Sequence, residues 1–470
     1  MEQICCVILA AGLGKRLEGD SPKALATTRS GALIDLALES LASVSPVKTI
    51  VVVGHKAELL EKHLATSSVA KELAIATVSQ PEQLGTGHAV RCALPALEGF
   101  TGTVILTYAD HPLFTAETLK HFVAYHSFKK STLTMLSFTA PPPNGYGRIV
   151  RGTKNEVLRI TEAKDCNPEE LLINEVNSGV YAVDSSFLKP AIESLQNNNS
   201  QKEYYLTDIV EKAVKEGQTV CAFPLGDPQE AAGVNTLSDL AYVNQVLERR
   251  HIRQLQAAGV LFDDPATCSL DASVILKAGA RVGPQVQLRG DTVVETGVTL
   301  EGSLLIINST IGRNVTIKLG SRVEEAVIGE EASVGPFANI RPGTSLGAHT
   351  RIGNFVEVKN ATLRDGAKAS HLTYLGDCTV GEESNIGAGT ITCNYDGYRK
   401  SATTIGKGVF IGSNSCLVAP VHVGDGALIA AGSVITQDVP ADALALGRAR
   451  QELKGGWAAT RRAKLEKQKK

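Results

Sequence analysis

Aliphatic residues recur at every sixth position in the C-terminal half of the chain, and this spacing limits the fold more than any other feature. The two longest runs are Ile328, Val334, Ile340, Leu346, Ile352 and Val358, and Ile405, Ile411, Leu417, Val423, Ile429 and Ile435. A period of six fits neither a helix face nor the alternation of a single strand. Stacked coils that bury each other's aliphatic residues do fit it. The chain beyond Asp263 is therefore predicted to be a parallel β-helix.

The six-residue period is interrupted at two places. The phase slips between Leu363 and Val380, and again in the stretch 392-TCNYDGYRKSA-402. We expect residues to be extruded from the coil at both places. Extrusions from a regular solenoid often carry function.

The first 228 residues or so follow a different pattern, in which apolar runs alternate with amphipathic stretches. The clearest runs are CCVILAA, KTIVVVGH, AIATVSQ and GTVILTYAD. This alternation predicts an α/β domain with a Rossmann-like, mostly parallel sheet and helices on both faces. Ligands of such sheets bind beyond the carboxyl ends of the strands.

A helix without Gly or Pro is predicted from Leu237 to Gln256. It either links two domains or closes the first one, and the sequence leaves both possibilities open. The predicted boundaries are an N-terminal domain 1–235, a linker helix 236–258, a β-helix 259–447 and a basic tail 448–470.

Composition excludes several classes of protein. A formal net charge of -2 over 470 residues argues against a nucleic-acid partner, which requires a basic excess. Nine cysteines without a C-x-x-C pair indicate reduced thiols and a cytoplasmic location. The apolar run from Ile4 to Ala11 is too short to cross a membrane, and the start lacks the features of a secretory signal.

The loop 9-LAAGLGKRLEGDSPKAL-25 follows the first predicted strand. Gly12 and Gly14 allow backbone amides to approach phosphate oxygens. Arg16 and Lys23 place positive charge where a pyrophosphate leaving group would develop. The loop matches neither the dinucleotide-binding fingerprint nor the P-loop, and a plain glycine turn remains the alternative.

The segment 108-YADHPL-113 places Asp110 at the carboxyl end of the fourth predicted strand. A carboxylate there can hold Mg²⁺ on a triphosphate, although a lone Asp is more often a helix cap. The chain also contains 83-QLGTGHA-89, 145-GYGRI-149, 162-EAKD-165, 177-NSGVY-181 and 233-GVN-235.

Taken in order, these motifs resemble the family of bifunctional N-acetylglucosamine-1-phosphate uridylyltransferase/glucosamine-1-phosphate N-acetyltransferase enzymes, through nearly the whole chain. The resemblance implies uridylyl transfer by residues 1–235 and acetyl transfer by a left-handed β-helix of hexapeptide repeats, residues 259–447. Glucosamine 1-phosphate would be acetylated with acetyl-CoA. UMP would then pass from UTP to N-acetylglucosamine 1-phosphate with release of pyrophosphate, for bacterial peptidoglycan and lipopolysaccharide precursors.

The resemblance also implies roles for residues of the first domain. Those for the uridine nucleotide are Leu9, Ala10, Ala11, Gly12, Gln80, Gly85 and Thr86. Those for the sugar are Tyr108, Gly147, Glu162 and Asn177. Mg²⁺ would be held by Asp110 and Asn235, and the triphosphate would be neutralised by Arg16 and Lys23. The chain departs from the family at Ala109, where Gly is usual, and at Ser178, in NSG instead of NTG.

In the β-helix, His371 opens the segment 371–400, which contains the second interruption. Attack on a thioester requires a neutral amine, and His is the natural general base near pH 7. By itself such a His is more often a surface or cap residue. Its matching family position is the proton acceptor, and the segments 339-NIRPG-343, 354-NFVEVKNA-361 and 411-IGSNSCLVAP-420 support the acetyltransferase interpretation.

The same resemblance implies the remaining residues of the second site. Arg341 and Lys359 would grip the sugar 1-phosphate, as cations do. The sugar and acyl site would be completed by Tyr374, Asn385, Asn394 and Tyr395. The acetyl-CoA groove would be lined by Ala388, Ser413, Ala431 and Arg448. Family members are homotrimers with sites shared between neighbouring β-helices.

Two alternatives stay open at this stage. One is a nucleotidyltransferase with an inert β-helix, and the other is a non-catalytic sugar-nucleotide sensor. The basic tail is either a solvated end or an arm that reaches CoA phosphates.

Overall fold

The computed structural model describes residues 3–12 and 21–468. The chain forms two compact units, Met1–Arg250 and His251–Lys470. The division falls inside the helix Leu237–Ala257, which occupies nearly all of the predicted linker segment. Each unit has its own hydrophobic core.

The first unit is an α/β domain. Its strands are β1 (Ile4–Leu9), β2 (Thr27–Thr28), β3 (Gly31–Ala32), β4 (Lys48–Val53), β5 (Ile75–Ser79), β6 (Thr103–Tyr108), β7 (Leu133–Thr139), β8 (Arg148–Arg151), β9 (Val157–Thr161), β10 (Glu175–Asp184) and β11 (Val220–Pro224). Its helices are α1 (Leu33–Ala42), α2 (Ala57–Thr66), α3 (Ser68–Glu72), α4 (Thr86–Ala93), α5 (Ala116–Lys129), α6 (Ser185–Glu193), α7 (Asp208–Lys215) and α8 (Leu237–Ala257). Short 3₁₀ turns lie at Lys23–Leu25, Leu94–Leu97, Glu170–Leu172 and Pro228–Ala231.

The main sheet has the strand order β11-β7-β10-β6-β1-β4-β5. Strands β5, β4, β1 and β6 are parallel neighbours, which confirms the parallel arrangement predicted from the four apolar runs. Only β10 runs against both of its neighbours on this path, β6 and β7. Strands β1, β4 and β6 are buried along most of their length because helices cover both faces.

The N-terminal part of α8 belongs to the first unit. Its residues Val243 and Val246 pack in a separate cluster with Leu33, Leu113 and Val234. Arg250 donates a hydrogen bond to the carbonyl of Leu113 at 2.6 Å. These contacts tie α8 to the unit as far as its boundary.

The second unit is a parallel β-helix with three walls. One wall contains Leu261–Phe262, Arg281–Val282, Thr299–Leu300, Thr316–Ile317, Ser333–Val334, Arg351–Asn354, Lys368–His371, Asn385–Ile386, Phe410–Ile411, Leu428–Ile429 and Leu444–Ala445. The second contains Ser269–Leu270, Gln287–Arg289, Leu305–Ile307, Arg322–Glu324, Asn339–Ile340, Glu357–Lys359, Tyr374–Gly376, Ile391–Cys393, Cys416–Val418 and Val434–Ile435. The third contains Ile275–Leu276, Val293–Val294, Thr310–Ile311, Ala326–Ile328, Thr344–Leu346, Thr362–Leu363, Cys378–Val380, Thr403–Ile405 and Val421–Val423.

The β-helix confirms the six-residue pattern. Every member of the two aliphatic runs is buried in one continuous core. Most of the short strands contribute one or two buried residues, and the strands pair in parallel with those of the next coil. Aliphatic side chains therefore stack along the axis, as the period requires.

One of the two predicted extrusions is wrong. Leu363 pairs directly with Val380, and Ala369 and Leu375 are buried between them. The coil thus closes one residue short of three hexapeptides, with nothing extruded. The second interruption is a true extrusion, because the chain leaves the wall after Cys393, forms a bridge between Tyr395 and Lys400, and returns at Thr403.

The C-terminal tail forms the helix α9 (Trp457–Gln468), whose described residues are all exposed. No helix among the described residues combines the length and the hydropathy that a bilayer crossing demands.

Candidate active sites

The first candidate site is a cavity of about 220 Å³ at the carboxyl ends of β1 and β6. Of the residues predicted for the nucleotide, the sugar and the metal, it is lined by Leu9, Ala10, Ala11, Gly12, Lys23, Gln80, Gly85, Thr86, Tyr108 and Asp110. Ala109, the departure from the family pattern, lines it too. The predicted residue Arg16 lies outside the described residues. The cavity occupies the position expected of a ligand site in a parallel sheet.

Gly85 shapes one wall of this cavity. Its φ of +108° lies in a region that L side chains rarely adopt. A Cβ at this position would lie 2.7 Å from the carbonyl oxygen of Tyr204. Thr86, the next residue and the first of α4, accepts a hydrogen bond from the backbone N–H of Leu206 at 3.1 Å. The segment 204–206 therefore packs directly against this loop, and only glycine fits at position 85.

The predicted metal ligands converge on one point. The ammonium group of Lys23 donates hydrogen bonds to Oδ2 of Asp110 and to Oδ1 of Asn235, the latter at 2.7 Å. The other carboxylate oxygen of Asp110 is buried and lacks a hydrogen-bond partner among the described residues. Two oxygen donors within reach of one cation, one of them with an unused atom, fit Mg²⁺.

Within residues 3–12 and 21–468, no cluster of three or more His, Cys, Asp or Glu side chains could hold a metal ion. Mg²⁺ usually keeps several waters and shares substrate phosphates with one or two carboxylates. A site with a single carboxylate and one amide oxygen therefore fits a metal that arrives with a phosphorylated substrate.

Asn235 owes its position to the start of α8. The backbone N–H of Val234 donates to the carbonyl oxygen of Asp110 at 2.9 Å. Asp239 accepts hydrogen bonds from the N–H groups of Asn235 and Thr236 at 2.9 and 2.8 Å, while Thr236 Oγ1 accepts from the N–H of Asp239 at 3.1 Å. This reciprocal cap fixes Asn235 beside Asp110. The pattern 236-TLSD-239 is the signal by which the sequence could have revealed Asp239.

Glu162 lies in a second cavity of about 210 Å³, which shares the lining residue Glu203 with the first. Its carboxylate accepts a hydrogen bond from Thr207 Oγ1 at 3.0 Å. Burial raises the pKa of Glu162. A Cβ on Gly147 would lie 3.5 Å from Glu162 Oε2, so these two predicted sugar residues are neighbours.

Asn177 is engaged within its own strand. Its Nδ2 donates to the hydroxyl of Tyr181 at 2.6 Å, and its Oδ1 accepts from the N–H of Gly179 at 3.1 Å. Gly179 in turn leaves room for the ring of Tyr108, since a Cβ there would lie 2.5 Å from ring atom Cε2. Asn177 is buried and belongs to neither cavity lining. Its backbone N–H donates to the carbonyl of Gly147 at 2.9 Å, which places it beside another predicted sugar residue.

The second candidate site lies on the β-helix around His371. The strands Arg351–Asn354 and Lys368–His371 pair in parallel, with Asn354 opposite His371. Nδ1 of His371 lies 2.9 Å from Oδ1 of Asn354. Because an amide oxygen only accepts hydrogen bonds, the neutral imidazole that fits this contact carries its proton on Nδ1 and has its lone pair on Nε2. The side chain is exposed. The position of Asn354 beside His371 depends on the pairing of two coils, so no local sequence pattern reveals it.

Three cationic side chains gather on another wall of the β-helix and on the loop extruded from it. The pKa of Lys359 is lowered, first by Lys400 and then by Arg341. Arg341 also donates a hydrogen bond to Glu357 at 2.6 Å. Cations held this close repel each other, and a bound anion such as a phosphate would relieve that repulsion. Arg341 and Lys359 were predicted, whereas Lys400 was missed because it lies on the extruded loop.

The extruded loop is anchored at its first residue. Asn394 is buried and its Nδ2 donates to Asp377 Oδ2 and lies 3.5 Å from the hydroxyl of Tyr374. Tyr395 is 61% exposed, so most of this ring is left uncovered by its own chain. Asn385 pairs with Lys368, on the strand that carries His371.

The residues predicted for acetyl-CoA line up along one edge of the β-helix. The N–H of Asn414 donates to the carbonyl of Ala388 at 2.7 Å, and the N–H of Gly432 donates to the carbonyl of Ser413 at 2.8 Å. Ala431 therefore lies one coil beyond Ser413. The Cδ of Arg448 lies 3.9 Å from the position of a Cβ on Gly432. The four predicted residues follow each other coil by coil.

Comparison with known proteins agrees with this division. Residues 5–228 match the family model for nucleotidyl transferases. Residues 325–360 match the bacterial transferase hexapeptide (six repeats), and residues 402–437 match the hexapeptide repeat of succinyl-transferase. These hexapeptide matches and the parallel coils are those of a left-handed β-helix.

Several curated proteins are similar over almost the whole chain, each named "Bifunctional protein GlmU". The one from Pelobacter propionicus is 42% identical over 97% of this chain and 98% of its own length. That from Geotalea uraniireducens is 42% identical over 97% and 99%. That from Streptococcus thermophilus is 42% identical over 96% of both chains.

Proposed function

The chain belongs to the family of bifunctional GlmU proteins, and from this premise we propose which residues carry each of its two reactions. It is a bifunctional enzyme of UDP-N-acetylglucosamine synthesis, with a nucleotidyltransferase domain and an N-acetyltransferase domain. We propose that its product feeds bacterial peptidoglycan and lipopolysaccharide precursors. Membership of this family argues against both alternatives, a non-catalytic sugar-nucleotide sensor and a nucleotidyltransferase with an inert β-helix.

For acetyl transfer, the proposed substrates are glucosamine 1-phosphate and acetyl-CoA. Arg341, Lys359 and Lys400 bind the sugar phosphate, and Nε2 of His371 takes a proton from the sugar amine as nitrogen attacks the thioester carbon. The carbon–sulfur bond then breaks and CoA leaves as the thiolate, which His371 can reprotonate. Asn354 holds His371 in the tautomer that this step requires.

For uridylyl transfer, the proposed substrates are UTP and N-acetylglucosamine 1-phosphate. The phosphate oxygen of the sugar attacks the α-phosphorus in line, and pyrophosphate leaves. The nucleophile is already an anion, so positioning and charge neutralisation supply the rate. Lys23 neutralises phosphate charge, Gln80 and Gly85 hold the base, and Glu162 holds the sugar. Arg16 is assigned to the triphosphate by the family motif alone.

Asp110 and Asn235 are the residues we assign to Mg²⁺. When bound, the ion neutralises charge on the phosphates. The support for this assignment is the convergence of both side chains on the ammonium of Lys23 and the unused oxygen of Asp110.

The proposal includes a homotrimer in the cytoplasm. Exposed Tyr395 on the extruded loop is the residue we expect to reach a neighbouring subunit. No disulfide joins any of the nine cysteines, all of which lie among the described residues, as expected in a reducing compartment. Neither a nucleic acid nor a membrane is part of the proposed function.

The observation that carries the proposal is the placement of two separate polar clusters, one around Asp110 and one around His371, in two units of different fold. The test supplies UTP, Mg²⁺, acetyl-CoA and glucosamine 1-phosphate together and detects UDP-N-acetylglucosamine by chromatography. His371→Ala should stop release of thiol from acetyl-CoA, with release of pyrophosphate from UTP and N-acetylglucosamine 1-phosphate intact. Loss of both activities in either His371→Ala or Asp110→Ala, in a folded protein, would contradict the assignment.

A further inference from the structure

His88, which no part of the proposed mechanism uses, lies next to the base-binding residue Gln80. It belongs to α4 and is half-buried. Its Nδ1 lies 3.1 Å from Nε2 of Gln80, and its Nε2 lies 3.9 Å from Sγ of Cys92, one turn later in the helix. The ring is thus held between the nucleotide cavity and its own helix.

The orientation of the Gln80 amide follows from its partners. The same Nε2 is 3.2 Å from the carbonyl oxygen of Gly85. A carbonyl only accepts hydrogen bonds, so the atom facing it must be the amide nitrogen. The second proton of that nitrogen points to His88, whose Nδ1 must therefore be the unprotonated acceptor. Both amide protons are used by the protein.

The consequence is that Gln80 is left with an acceptor alone. Gln80 is buried and lines the nucleotide cavity, and its Oε1 has no hydrogen-bond partner among the described residues. Uracil offers a ring N–H at N3, whereas cytosine has a lone pair at the same position. An acceptor fixed against the base therefore pairs with the N3–H of uracil and repels the N3 lone pair of cytosine.

We propose that His88 is a positioning residue that sets base specificity, because it holds the Gln80 amide with its oxygen toward the base and so selects a pyrimidine with a ring N–H. The inference rests on the proposed uridylyl transfer and on Gln80 as the base-binding residue. It predicts rejection of cytosine and gives no preference between uracil and thymine, which share the N3–H.

The test compares kcat/KM for UTP and CTP in the full-length protein, with N-acetylglucosamine 1-phosphate as acceptor and pyrophosphate release as the signal. His88→Leu removes the acceptor at nearly equal volume. The ratio of the two kcat/KM values should fall by about tenfold, the worth of one directed hydrogen bond, through a higher KM for UTP at nearly unchanged kcat. His88→Asn, whose Oδ1 takes the place of Nδ1, should keep the wild-type ratio within about threefold.

The acetyltransferase activity of each variant, whose site lies in the other unit, controls for the amount of protein, and the nearly unchanged kcat with UTP shows that the first unit is folded. Should His88→Leu fail to fold, His88→Ala, which also lacks a side-chain acceptor, serves in its place and is expected to lose discrimination as well. An unchanged ratio in His88→Leu would overturn the inference, and so would equal losses in the Leu and Asn variants. A wild-type enzyme without activity on UTP would instead refute the proposed function.

Discussion

The hydrogen bond between Asn354 and His371 makes a quantitative prediction for acetyl transfer. Asn354→Ala removes the acceptor that lies 2.9 Å from Nδ1, so the imidazole can rotate and can adopt the tautomer with Nε2 protonated. A neutral hydrogen bond contributes about 0.5–1.5 kcal/mol. The exposure of this pair favours the lower part of that range. We expect kcat for acetylation to fall by about two- to fivefold.

Removing the base itself should cost far more. General-base catalysis is worth about 10²–10⁴-fold, so His371→Ala is expected to lower kcat by that factor. Because Asn354 acts only through His371, the double variant should be no slower than His371→Ala, which is strong non-additivity. The assay is thiol release from acetyl-CoA with glucosamine 1-phosphate, and pyrophosphate release by the same samples is the control.

The double-mutant comparison decides whether the reasoning holds. If Asn354→Ala lowered kcat by the same factor with and without His371, Asn354 would act on the substrate or on the fold instead of on the imidazole. An Asn354→Ala variant as slow as His371→Ala would likewise contradict the assigned roles, because a residue that only positions the base should matter less than the base itself.

Three further predictions concern the first domain. Gly85→Ala should raise KM for UTP by about tenfold or more, because a Cβ 2.7 Å from the Tyr204 carbonyl forces the loop to shift at a cost of about 1–3 kcal/mol; an unchanged KM would show that the loop does not touch the nucleotide. Residues 1–250 should retain uridylyl transfer, whereas residues 1–235 should lose most of it, because the shorter chain lacks the Asp239 carboxylate that holds Asn235. Equal activities of the two fragments would contradict this role of α8. Burial and neighbouring carboxylates raise the pKa of Asp208 to about 6, above an ordinary value of about 3.9, so its charge destabilises the fold above pH 6 and this penalty fades as the pH falls toward 4. Asp208→Asn should therefore raise the free energy of unfolding, and with it the melting temperature, at pH 8 and not at pH 4. The gain should be less than about 1 kcal/mol because the side chain is exposed and solvent screens its charge. A larger gain at pH 4 would refute it.

The sequence predicted those parts of the molecule that repeat or that lie along one strand. The inward position of Ile328 or Ile411 follows from a local period, and the cavity at the end of β6 follows from the place of Asp110 after an apolar run. These features depend on neighbours in the chain or on regular stacking, which a pattern of residues records directly.

Features that depend on contacts between distant segments could not be predicted from the sequence. Asn354 meets His371 because parallel strands of successive coils bring the two residues opposite each other. Lys400 joins Arg341 and Lys359 through the fold of a loop, and Lys23 meets Asn235 across 212 positions. No local pattern encodes these distances, since they are set by coil length and by the packing of α8.

The most direct test of two independent sites is complementation between inactivated enzymes. Asp110→Ala and His371→Ala are each supplied with UTP, Mg²⁺, acetyl-CoA and glucosamine 1-phosphate, alone and as an equimolar mixture. Neither variant alone should form UDP-N-acetylglucosamine. The mixture should form it, because each protein supplies the active site that is inactivated in the other. Product from either variant alone, or none from the mixture of two folded proteins, would contradict the account.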